Sequence, residues 1–172
     1  LSFRKTVFRN GLTLVTERHQ QYRTLSIGVW VKIGTRHETV KEAGVSHFLE
    51  HMLFKGTDKR SALDIARAVD RVGGEFNAFT AREYTCFHIT LLDRDVDLAV
   101  DILGDVILNS RFDADELERE RKVILQEISM VEESPEELAH DLFFEVALGK
   151  HPLGRPILGT ERSIRLSRRE TW

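Results

Sequence analysis

The chain has 172 residues, 41% of them hydrophobic and 31% charged, with a net charge of −3 at pH 7. That length suits one domain able to bury a core, and the absence of a basic excess gives no support to nucleic-acid binding. No apolar run approaches a membrane span and no basic-then-apolar leader opens the chain, so the expectation is a soluble, cytoplasmic protein. The single cysteine, Cys86, excludes an internal disulfide and a cysteine-built zinc site. A start at Leu1 without methionine marks a processed form or a piece of a longer protein.

In chain order, Lys5 to Arg9 alternates and meets Asn10-Gly11, a strong hairpin signal, before Leu12 to Thr16 resumes the alternation. Leu25 to Ile33 is β-branched and aromatic and reads as a central strand. Three consecutive strands with a tight turn predict a largely antiparallel sheet with helices packed on one face. A helix is expected from near Ala43, since Val45, Phe48, Leu49, Met52 and Leu53 recur at three and four. Ser61 with Asp64 forms a capping box for a second helix, which Gly73-Gly74 ends. Glu75 to Thr80 and Tyr84 to Leu92 then read as a strand pair linked through Ala81-Arg82-Glu83. From Asp93 the pattern turns helical as far as Asn109-Ser110. Asp113 with Glu116 opens the next helix, and Ser134-Pro135-Glu136-Glu137 opens another that ends at Gly149. Residues 151–159 read as a loop. Ser167-Arg168-Arg169-Glu170 announces one more helix, which the end of the chain at Trp172 cuts off. The fold class is therefore α+β, two-layered, in a single domain over residues 1–172 that is truncated before its last elements.

The chemistry centres on His47-Phe48-Leu49-Glu50-His51. On a helix, His47 and His51 stand one turn apart on a single face, where two imidazoles can grip one metal ion. Glu50 lies one residue off that face, close enough to act on a water activated by the metal. A zinc hydrolase needs a third protein ligand, and Glu127 is the candidate. It sits among Val123, Ile124, Ile128 and Val131, where an unpartnered carboxylate is costly. Glu120 lies two helical turns earlier and points the same way. The run Glu116 to Lys122 is charged enough to form a solvated face instead, and the residues alone leave both readings open. His19, His37, His140 and His151 read as surface residues, and His88 as a structural histidine in a strand.

Several separated motifs together resemble the pitrilysin-type zinc peptidases, the inverzincins, and most nearly their bacterial and mitochondrial processing-peptidase branch. The resemblance runs from the Asn10-Gly11 hairpin through Gly34-Thr35-Arg36-His37-Glu38 and His47 to Met52. It continues through Gly73-Gly74-Glu75-Phe76-Asn77-Ala78 and Glu118 to Ile128. It implies that His47, His51 and Glu127 bind one zinc ion, that Glu50 is the general base, and that Glu120 orients a ligand or supports the base. It also implies that the strand around Asn77 and Ala78 pairs with the backbone of a peptide or unfolded polypeptide substrate. Read without the resemblance, Asn77 is equally a polar residue at a strand end. Members of that family are built from two similar halves, and this chain matches the first. A zinc endopeptidase domain that needs its C-terminal half, or a partner subunit, is the resulting expectation.

Two other readings compete with it. One is a non-catalytic member of the same fold, although the motif such members lose is intact here. The other is a metal lyase like S-ribosylhomocysteinase, which recruits a cysteine as third ligand and would have to use Cys86.

Overall fold

The computed structural model describes residues 3–171, and is an α+β structure with its helices on one side of a small antiparallel sheet. A hairpin of β1 (Phe3–Val7) and β2 (Thr13–Glu17) comes first, followed by β3 (Thr24–Val31) and α1 (Val45–Leu53). Next come α2 (Ala62–Asp70), β4 (Glu75–Thr80), β5 (Thr85–Leu92) and α3 (Val96–Asn109). The chain closes with α4 (Ala114–Glu133), α5 (Pro135–Leu148) and α6 (Glu161–Leu166).

The sheet departs from the sequence expectation in two ways. The hairpin forms its own two-stranded sheet and does not pair with β3. Every residue of it is exposed, so its alternation has no apolar surface to register against among the described residues. The main sheet has the order β3-β5-β4, with both pairings antiparallel. β5, not β3, is therefore the central strand. The reason is visible in burial: β5 is covered along its whole length, whereas β3 alternates between half-buried and exposed positions.

Two apolar clusters hold the layers together. Ile65 and Val69 of α2 and Ile102 and Val106 of α3 pack on Ile89 and Leu91 of β5. Phe48 and Met52 of α1 pack with Leu117, Ile124 and Ile128 of α4 and Ile164 of α6. Leu53 and Phe54, at the far end of α1, touch the first cluster, so α1 is the element shared by both. The short helix α6 was not expected from the sequence; a Thr160–Ser163 capping box starts it. The announced box at Ser167 leads only to a 3-10 turn, Arg169–Thr171, and Trp172 lies outside the described residues.

The N-terminus of α1 meets the loop before α6 backbone to backbone. Gly44 and Gly159 both have positive φ, +88° and +76°. A Cβ on Gly159 would overlap the Ala43 carbonyl, and one on Gly44 would overlap that of Leu158. Gly73 also has positive φ (+67°), but a Cβ there meets nothing within 4 Å. These sites separate backbone strain from crowding. Gly73→Ala should cost about 1–2 kcal/mol, the left-handed penalty alone. Gly159→Ala should cost clearly more in a denaturant titration, and equal costs would show that the approach is not tight.

Candidate metal centre

Helix α1 is held at its start by a side chain from outside it. Its N-cap is Gly44, which has no capping side chain. Glu38, six residues earlier, replaces one: its carboxylate accepts the amides of Gly44 at 2.8 Å and Ser46 at 2.7 Å. A buried anion there also complements the positive end of the helix dipole. The Glu38 carbonyl in turn accepts from the Arg155 guanidinium, tying the 151–159 loop to the same point.

In the first and second turns of α1, His47 and His51 lie on a common face, edge to face, with their Nε2 atoms 3.3 Å apart. Glu127 of α4 approaches both, its Oε2 lying 3.6 Å from His51 Nε2 and 3.9 Å from His47 Nε2. One donor atom from each of the three lies within 4.8 Å of the others. On the opposite edge of the His51 ring, Nδ1 is 3.1 Å from Glu120 Oε2. A carboxylate accepts, so the ring proton sits on Nδ1 and the Nε2 lone pair points at His47 and Glu127. Two ring nitrogens and a carboxylate oxygen thus converge on one small space, where a cation could take the place of a shared proton. Two imidazoles and a carboxylate are the donor set that suits zinc.

The Nδ1 edge of the His47 ring, unlike that of His51, is held by burial and not by a hydrogen bond. Its Nδ1 is buried and has no hydrogen-bond partner among the described residues. Burial, helped by the neighbouring His51, depresses its pKa from 6.5 to about 4. At neutral pH it is therefore the neutral imidazole that metal ligation requires.

Glu50 reaches the sheet, where the Thr80 hydroxyl at the end of β4 donates to its Oε2. Burial raises the Glu50 pKa; the Thr80 hydrogen bond and His51 oppose the rise, while Glu127 adds to it. The carboxylate is thus more basic than an exposed one, next to the space the three donors define.

Asn77 and Ala78 lie on β4, which among the described residues has a neighbouring strand on one side only. The Ala81 amide bonds the Tyr84 carbonyl at the hairpin end, which sets odd-numbered amides of β4 towards β5 and even-numbered ones outwards. The Ala78 amide accordingly faces the free edge, and the Asn77 side-chain oxygen accepts from it at 2.8 Å. Cys86 is buried on the other face of the sheet, beside Trp30 and Phe79 and away from Thr80 and α1. It takes no part in the cluster.

The structure thus brings His47, His51, Glu120 and Glu127 together, sets Glu50 against Thr80 and places Asn77 and Ala78 further along the same strand. It adds three residues that the sequence did not single out. Glu38 was legible only as part of a motif. Thr80 could have been found by its alternation with Ala78 on the face turned to α1. Lys55, whose Nζ lies 2.6 Å from Glu120 Oε1, follows His51 by the same four-residue step that separates the two histidines.

Comparison with known proteins agrees with this geometry. The chain is 49% identical over 160 residues to an uncharacterized zinc protease of Mycobacterium leprae, covering 93% of this chain and 36% of that protein. It is 47% identical over 156 residues to one of Bacillus subtilis, covering 91% and 38% respectively. In structure it is similar to a protease from Helicobacter pylori, with a TM-score of 0.93 and 25% identity, over 98% of this chain and 41% of that one. It shares its fold with a peptidase M16 inactive domain from Pseudomonas fluorescens, at a TM-score of 0.90 and 17% identity over 99% and 42%. The chain therefore spans about two fifths of the length of these relatives. Residues 13–161 match the insulinase (peptidase family M16) model, and the chain belongs to that family.

Proposed function

We propose that this chain is the zinc-holding domain of a metalloendopeptidase, with His47, His51 and Glu127 as ligands of one zinc ion and Glu50 as general base. The observation that carries the reading is the convergence of two histidine nitrogens and one carboxylate oxygen within 4.8 Å, beside a half-buried glutamate. Zinc in such a site supplies a Lewis acid that acidifies water and polarises a peptide carbonyl. Glu50 takes a proton from the water as its oxygen attacks the carbonyl carbon. It then delivers that proton to the amide nitrogen as the C–N bond breaks, leaving a carboxylic acid and an amine. The Thr80 hydroxyl holds one Glu50 oxygen and leaves the second for the water. Glu120, against the Nδ1 edge of His51, fixes the ring and its tautomer.

The substrate is an extended peptide or unfolded polypeptide lying along the free edge of β4. Its carbonyl replaces the Asn77 side chain on the Ala78 amide, a main-chain pairing indifferent to substrate sequence. Because relatives are more than twice as long, full activity is assigned to this domain together with a second half, in the same chain or on a partner subunit. The lyase alternative has little support, since Cys86 lies on the wrong face of the sheet to reach the histidines.

Glu50→Gln should keep zinc at near-parental affinity and lower peptide hydrolysis by about 10²-fold or more, the scale of a lost general base. His51→Ala should lose the metal. Hydrolysis at the parent rate by the Glu50 variant would refute the assignment and favour a non-catalytic or differently organised site.

The 172 residues alone should bind about one zinc, as a three-ligand site requires, yet cleave peptides poorly until the remaining part of the enzyme is supplied. Full turnover by the isolated monomer would remove the need for a second half.

His47 also predicts an acid limit for the metal-free fold. The folded ring stays neutral down to about pH 4, whereas the unfolded one titrates near 6.5. Between those values the unfolded state binds the extra proton, so stability is complete above 6.5 and falls as the pH drops towards 4. Thermal melts of the apo chain should show that decline, and His47→Phe should flatten it between pH 6.5 and 5.

A further inference from the structure

Lys55 stands just past the end of α1, where the Lys55 amide bonding the Met52 carbonyl continues the helical course by a turn. It therefore remains on the flank that carries His47 and His51. Its ammonium contacts Oε1 of Glu120 at 2.6 Å, while Oε2 of the same carboxylate faces His51 Nδ1 at 3.1 Å. The Glu120 side chain is only 7% exposed, and a buried carboxylate must be satisfied at both oxygens. Two donors do this, and both come from successive turns of one segment, so Glu120 bridges His51 to Lys55.

Resting on the zinc reading above, we propose that Lys55 is a positioning residue of the metal centre. By holding Oε1 of Glu120 it fixes Oε2 as the acceptor for the His51 Nδ1 proton, and so aims His51 Nε2 at the ion. Without Lys55, Oε1 would turn to water, Oε2 would leave the imidazole plane, and the ring would be free to swing.

The sign of the effect separates this from two simpler roles. If Lys55 acted only as a positive charge near the site, removing it would tighten the binding of a cation. If it were only a tie between α1 and α4, removing it would lower stability, by leaving the buried Glu120 Oε1 unpaired, and leave the metal affinity of the folded chain untouched. Positioning instead predicts weaker zinc binding, and predicts that the loss passes through Glu120.

The test uses the full chain, with zinc affinity measured by chelator competition and cobalt substitution reporting ligand geometry by its visible spectrum. Lys55→Met should weaken zinc about tenfold, the usual scale for removing a group that orients a ligand, and should shift the cobalt bands. Lys55→Arg should restore most of both. In a Glu120→Gln background, Lys55→Met should have no further effect. Lys55→Gln carries the same expectations should the methionine variant fold poorly. Unchanged or tighter zinc binding, or losses that multiply in the double variant, would overturn the proposal. A parent chain that takes up no zinc would overturn the zinc reading and this one together. A parent that binds zinc, beside a Lys55 variant that binds it equally well, would overturn this one alone.

Discussion

The packing of α1 on α4 is the contact on which the site depends. Phe48 and Met52, one turn apart, are fully buried against Leu117, Ile124 and Ile128. His47 and His51 each precede one of those apolar residues, so burying Phe48 and Met52 sets both imidazoles along the seam. On α4, Glu120 and Glu127 lie seven residues apart and share a stripe with Leu117 and Ile124. The register that satisfies the apolar residues is therefore the one that brings both acids to the histidines. A one-residue slip would rotate either helix by about 100° and send its polar groups out of reach. Burying a Phe, Met or Ile side chain is worth about 1.5–3 kcal/mol each, while leaving one buried polar group unsatisfied costs about 1–3 kcal/mol. Several apolar contacts thus outweigh the strain of crowding histidines and carboxylates along the same seam.

The remaining contacts of α1 restrict its freedom to shift. Glu38 caps its first turn, and the Gly44–Gly159 approach blocks the chain before it. Beyond its last turn, the loop is anchored by Thr57, whose hydroxyl donates to the buried Asp105, and by Arg60, which bonds Asp105 and Asp101. Along its side, Thr80 joins Glu50 to the edge strand. An ion held by two residues of one helix and one of another needs such fixing, because displacements of a few tenths of an ångström matter at coordination distances. The edge strand is free on its outer side among the described residues, so a rigid centre faces a surface still able to accept a strand.

What the sequence disclosed follows the range of each interaction. Helices α1 to α5 were legible because apolar spacing and caps such as Ser61–Asp64 are local. The histidine pair was legible for the same reason, being one helical turn. Glu127 was legible as an acid on an apolar stripe, although only the fold shows which histidines it meets. Strand order was not legible: β3 and β5 are far apart in sequence and both strongly apolar, and burial on two sides alone makes β5 central. The detached hairpin was misplaced because alternation records a face without naming its partner. Thr80 and Lys55 were missed because a hydroxyl and an ammonium acquire a role here only through the carboxylates opposite them.

The two imidazoles, alike in sequence, differ physically in how they are held. His51 is fixed by chemistry, since Glu120 accepts its Nδ1 proton and is itself held by Lys55. His47 is fixed by its surroundings: its Nδ1 has no partner among the described residues, and burial, with His51 beside it, lowers its pKa to about 4. A carboxylate on Nδ1 fixes the orientation and tautomer of a ring, while burial without a partner lowers its affinity for protons. The division follows from position on the helix: the Nδ1 edge of His51 reaches Glu120, whereas His47, one turn earlier, approaches Glu127 through its Nε2.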